Sequence, residues 1–213
     1  MASNKINVPT LYAHDIRRIA SEFCQKYNID RTEIPVDVEN IVEFDLKLEL
    51  RPQKDVLKRT GVDALLLSNR KAIIVDHDRY MQDNLRNRLR FTIAHEIGHF
   101  ILHEKVYEQV QFQSVEEWAN FIQTISDEDY NFLEWHCHEF AGLLLVDGTL
   151  LKQKFEERVQ QIRQKLKGTE FEKLTVLPEP VIETLAGEIG KDFGVSSQPI
   201  MKRLQREKLW TND

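Results

Sequence analysis

The stretch from Arg88 to His103 constrains the fold more than any other, because as a helix it has two incompatible faces. At about 100° per residue, Arg88, Thr92, His95, Glu96, His99 and His103 fall in one sector, and Leu89, Ile93, Ala94, Ile97, Phe100 and Ile101 in the opposite one. The apolar sector must be buried against a core, whereas the polar sector fits only along a cleft or around a bound group. Within the polar sector, His95-Glu96-Ile97-Gly98-His99 puts two imidazoles one turn apart on one face, so both reach a single metal ion. Glu96 is rotated by only about 100° from His95, which lets its carboxylate take a proton from a water at the metal's open position. This is the HExxH arrangement of zinc peptidases. The five-letter pattern arises by chance in some chains, but a chance match has no reason to bring a two-faced helix with it.

A hydrolytic zinc uses three protein ligands and keeps one position open. His103 lies about 12 Å along the helix axis from His95, too far for the same ion, and reads as a hydrogen-bonding residue near the helix end. Glu134 is the stronger third ligand, because helical spacing in Glu134-Trp135-His136-Cys137-His138 aligns Glu134, Cys137, His138 and Ala141 on one stripe. His138 is then placed to hydrogen-bond a ligand histidine or the carboxylate. Cys137 either packs as a small residue or, as a thiolate, closes the fourth position and acts as a gate. His136 points to the other side and carries no expected chemistry. Tyr130, Arg88 and His138 are alternative oxyanion or substrate contacts.

Around this site the periodicity changes several times. Leu11 to Tyr27 reads as an amphipathic helix, and Asp37 caps a short one. Leu46, Leu48 and Leu50 alternate as in a strand, and Val62 to Leu67 and Ala72 to Val75 read as two more, joined by a turn at 68–71. A helix is expected from Asn84 to His103 and another from Glu134 to Leu145. Between them, Lys105 to Leu133 is polar and acidic, with one short helix marked by Ser114 and Glu117, and is a candidate cover for the cleft. Leu151 to Gly168 is a further amphipathic helix, and Val181 to Phe193 and Ser197 to Leu209 form a terminal pair. The expected fold is α+β: mostly helical and zincin-like, with a three-stranded sheet packed on the His95–His99 helix. A single domain over residues 1–213 is expected, with 181–213 as a helix pair packed on it.

Two cysteines in 213 residues exclude a disulfide framework. No apolar stretch approaches membrane-spanning length and Met1 to Asn7 lacks an export pattern, so a cytoplasmic protein is expected. A net charge of −6 argues against a broad nucleic-acid footprint and suits a protein partner better. The terminal pair resembles a helix-turn-helix, yet its five basic and five acidic residues from Val181 to Asp213 cancel.

The run from Arg90 to His103 resembles the signature of the ImmA/IrrE family of bacterial and phage metallopeptidases. Glu134, Phe140, Ala141, Leu144 and Leu145 match that family's downstream helix. Ile34-Pro35-Val36-Asp37, the hairpin, and the pattern from Leu185-Ala186 through Phe193-Gly194-Val195-Ser196 to Arg203-Leu204 extend the resemblance over roughly residues 10 to 210. The chain departs from the family at Cys137-His138, where Ala-Asn is usual, and at Asp147, where a proline commonly ends the helix. The resemblance implies an endopeptidase that binds one zinc through His95, His99 and Glu134, uses Glu96 as general base, and cleaves a helix-turn-helix transcriptional repressor to relieve repression. The alternative is a DNA-binding or protein-binding regulator that uses the terminal helix pair and carries a structural or inactive zinc site.

Overall fold

The computed structural model describes residues 6–168 and 177–211; the first residues of the N-terminal stretch and the last two of the terminal pair lie outside that range. The chain divides into two compact units, one of residues 1–29 and 37–144, the other of residues 30–36 and 145–213.

The first unit opens with α1 (Ala13–Lys26), started by Asp15, which accepts from the Tyr12 N–H at 3.0 Å. Ile16, Ala20, Phe23 and Cys24 form its buried stripe. Asp37 caps α2 (Val38–Asn40) by accepting from the Asn40 N–H at 3.1 Å, and α2 runs on as a π turn, Ile41–Asp45. That turn corrects the expected strand start: Leu46 is the C-cap of the turn, and β1 (Glu49–Gln53) begins three residues later. The Leu46/Leu48 alternation arises because both leucines are buried beneath the turn and the connection, outside any ladder.

After β1 come α3 (Val56–Thr60), β2 (Ala64–Leu66) and β3 (Ala72–Asp76), and the three strands form a mixed sheet in the order β1-β3-β2. β3 is the central strand, fully buried, parallel to β1 and antiparallel to β2. Pro52 is tolerated in β1 because that strand lies at the edge. The hairpin between β2 and β3 turns where expected, with Arg70 at φ 56°.

The short α4 (His77–Tyr80) and one 3₁₀ turn lead into α5 (Arg86–Leu102), whose Leu89, Ile93, Ala94 and Ile97 are buried. The segment expected to hold one short helix contains α6 (Glu104–Tyr107), α7 (Val115–Ile122) and the first turns of α8 (Asp127–Leu145). Ser114 caps α7 as expected, but the returning carboxylate of Glu117 accepts from the Gln113 N–H at 2.6 Å rather than from Ser114. Ser126 starts α8 seven residues earlier than expected by accepting from the Asp129 N–H at 3.1 Å. Its hydroxyl also donates to the Asp129 carboxylate at 2.8 Å.

In the second unit, Asp147 caps α9 (Gly148–Leu166), accepting from Thr149 and Leu150 at 2.9 and 3.0 Å. The residue that replaces the usual proline therefore starts the next helix. α10 (Glu179–Phe193) ends at Gly194, where φ is 63°, and α11 (Ser197–Arg206) follows and packs with α10 on α9. Among the described residues, no helix is long and apolar enough to cross a membrane.

Candidate metal centre

α5 and α8 build the centre where they pack closely, with Gly98 against Cys137. A Cβ at Gly98 would lie 3.1 Å from Cys137 Cα and 3.3 Å from Cys137 Sγ, tighter than ordinary van der Waals contact, so a side chain there would press on α8. With the helices this close, Glu134, one turn before Cys137, reaches both histidines. His95 Nε2 and His99 Nε2 are 3.2 Å apart, and each lies 3.3 Å from a Glu134 carboxylate oxygen. Burial alone would raise the Glu134 pKa, but the two imidazoles outweigh it and hold the carboxyl well below its ordinary range. These three side chains could hold a metal ion.

Glu96 is buried beside them, and one of its oxygens accepts from the Leu66 N–H at 2.8 Å. Desolvation pushes its carboxyl up to about 7, with Glu134 adding to the rise and His95 and the Leu66 N–H opposing it. Leu66 ends β2, so this bond fixes α5 to the sheet. It also shows that the unpaired side of β2 faces the site.

His138 Nδ1 is 2.7 Å from the backbone carbonyl of Glu134, and its ring packs edge-on against His95 with centroids 4.7 Å apart. His138 therefore sits against both His95 and the main chain of Glu134. His95, His99 and Cys137 offer donor atoms within 4.8 Å of one another, as do His95, Glu134 and His138. Cys137 is fully buried, with Sγ 3.6 Å from His103 Nδ1, and burial pushes its thiol well up.

The polar sector of α5 opens onto a cavity of about 250 Å³, lined by Arg88, Thr92, His95, Glu96 and His99. Tyr130, one turn before Glu134, also faces it, and burial followed by Glu134 and Glu96 pushes its phenol up to about 12. Arg88 is tied at the rim, its Nε donating to Asp63, which also pairs with Arg79 at 3.4 Å.

Several of these residues were not foreseen. Trp118, Phe121 and Ile122 line the cavity with Tyr107 and Phe112, making the segment over the cleft an apolar wall. The i, i+3, i+4 spacing of Trp118, Phe121 and Ile122 signals that wall, but the acidic composition around it dominates the reading. Asp63 carried a signal too, as a carboxylate inside the apolar run from Val62 to Leu67. His136, expected to be chemically idle, is buried with Nδ1 3.1 Å from His103 Nε2, and His103 Nδ1 is 3.1 Å from His99 Nδ1. Helical stripes on α8 alone could not reveal this, because the contact depends on where α5 ends.

No curated protein matches the chain. The model of the IrrE N-terminal-like domain matches residues 79–205, from the end of α4 into α11. That span holds both helices of the histidine and glutamate cluster and covers well over half of the sequence, so the chain belongs to this metallopeptidase family.

Proposed function

We propose that the chain is a zinc-dependent endopeptidase in which His95, His99 and Glu134 hold the metal and Glu96 is the general base. One observation carries this reading: the two Nε2 atoms and the Glu134 oxygens stand 3.2–3.3 Å from one another. Donors held at about 2.0–2.1 Å in a tetrahedron are separated by about 3.3–3.4 Å, the separation of each imidazole from the other and from one Glu134 oxygen, Oε2 for His95 and Oε1 for His99. Two imidazoles and a carboxylate are also a donor set that zinc favours. When bound, zinc supplies Lewis-acid polarisation of a peptide carbonyl and acidifies water at the open position.

The chain's own groups perform the remaining steps. Glu96, anchored through one oxygen by Leu66, uses the other to accept a proton from the attacking water and pass it to the leaving amine. Tyr130, protonated at neutral pH, donates to the oxygen that becomes negative in the tetrahedral intermediate. On the outward edge of β2, where Glu96 occupies the Leu66 N–H, the main-chain groups of Ala64 are placed to hydrogen-bond an extended substrate. Gly61 to Leu65 line the same cavity, whose apolar wall suits a bulky apolar side chain.

A helix-turn-helix repressor is the substrate we propose. The family resemblance supports it, and an acidic enzyme gains association rate toward a basic DNA-binding protein. Purified enzyme with zinc should cleave such a repressor at one or a few sites and leave casein largely intact; ready degradation of casein with an intact repressor contradicts it. DNA reading by α10 and α11 is disfavoured, because Arg203 on α11 is buried and paired with Glu207.

A further inference from the structure

Behind the cluster, three imidazoles run in a line away from the cavity. His99 Nδ1 meets His103 Nδ1 at 3.1 Å, and His103 Nε2 meets His136 Nδ1 at 3.1 Å. His103 and His136 are both 0 % exposed. A neutral imidazole has one N–H and one lone pair, so once one end of such a chain is fixed, every member is fixed.

The fixed end is His99. Its Nε2 is the atom that faces Glu134 and His95, and under the zinc reading above, on which this argument rests, that atom offers a lone pair to the metal. The His99 proton then sits on Nδ1 and is donated to His103 Nδ1. His103 carries its proton on Nε2 and donates it to His136 Nδ1. His136 is left with its proton on Nε2, the buried nitrogen that ends the line beside the Leu11 main chain. The reverse direction would put a proton on His99 Nε2, and a doubly protonated ring would set two N–H groups head-on.

We propose that His103, backed by His136, is the positioning residue that holds His99 in the Nδ1–H form and so aims its Nε2 at the metal. Ligand histidines ordinarily donate this proton to a carboxylate, a backbone carbonyl or water. An imidazole acceptor leaves the fully enclosed space uncharged, which avoids burying a second carboxylate next to Glu134. Because His103 closes α5 and His136 belongs to α8, the line also ties together the two helices that supply the metal ligands. Cys137 Sγ lies 3.6 Å from the same His103 nitrogen, but a thiol is a weak donor and does not displace the His99 N–H.

Long-range proton–nitrogen NMR correlations of the imidazoles in the zinc-loaded protein test this directly. His99 should be protonated at Nδ1, and His103 and His136 at Nε2. Zinc affinity, measured by competition with a chromophoric chelator, should fall about 10–100-fold in His103→Phe. His103→Asn, whose Oδ1 stands where the accepting nitrogen stood, should recover most of that loss. His103 protonated at Nδ1, or His103→Phe binding zinc as tightly as the unmodified chain, overturns the proposal. If His103→Phe does not fold, the spectrum of the unmodified protein decides alone. Failure of the zinc reading looks different: the unmodified chain would bind no stoichiometric zinc, and the tautomers would then be read in the metal-free protein.

Discussion

α5 and α8 carry two sets of histidines that are used in opposite ways. On the cavity side, His95 and His99 turn their Nε2 atoms toward each other and toward Glu134, so lone pairs converge on one point. Without a cation the imidazoles can instead donate to the Glu134 carboxylate, which they hold well below its ordinary range. Behind them, His103 and His136 are turned so that N–H can meet lone pair from ring to ring without any ion. Residue type and helical position are nearly the same in the two sets. The nitrogen that each ring presents, fixed by its neighbours, separates them.

The sharpest way to break this division is to delete one residue from each set. His95→Ala should leave no stoichiometric zinc and reduce peptidase activity to background, whereas His136→Phe should keep one zinc per chain, as read by elemental analysis. Equal metal loss in both variants would erase the distinction.

Tyr130→Phe tests whether the cavity side holds a third functional group. Loss of one oxyanion donor costs about 10²–10³-fold in kcat, and steady-state kinetics should show that loss with KM little changed. An unchanged kcat would pass the role to Arg88 or His138.

A smaller effect is expected behind the cluster. Cys137→Ala removes a buried sulfur packed against Gly98 and should cost about 1–2 kcal/mol, read as a Tm lower by a few degrees, with one zinc per chain retained. A rise in basal activity would instead place Cys137 on the cavity side, as a competitor for the open metal position.

The smallest effect belongs to a group outside both sets. Burial raises the Asp192 pKa, but Lys154 and Arg158, each 3.0 Å away, outweigh it and hold the carboxyl below its ordinary value. A depressed folded pKa means that Asp192 adds stability above its unfolded pKa, and that this stability is lost as pH falls through the folded one. Asp192→Asn should therefore lower Tm slightly at neutral pH and flatten its fall in acid. A change in metal content would contradict the confinement of the site to the first unit.

Much of the cavity-side set was legible in the sequence because it depends on spacing within single helices. His95, Glu96 and His99 follow from one turn of α5, and Glu134 from the stripe it shares with Cys137. The rear set was not legible, since His103 and His136 meet only through the crossing of two helices that pack closely at Gly98. The same limit explains Asp63 beneath Arg88 and the Leu66 N–H on Glu96, both made by sheet residues packing on α5. The missed π turn at Ile41–Asp45 has a local cause: alternating leucines mark burial on every second residue, and a turn followed by a buried connection satisfies that pattern as well as a strand does.

Glu96→Gln isolates the base, because it keeps the size of the side chain and an oxygen to accept from Leu66 while removing the proton acceptor. The variant should hold one zinc per chain and an unchanged fold, with peptide cleavage reduced by about 10²–10⁴-fold. A variant that loses its zinc would make Glu96 a ligand, and one that cleaves at the original rate would show that the base lies elsewhere; either result contradicts the assignment.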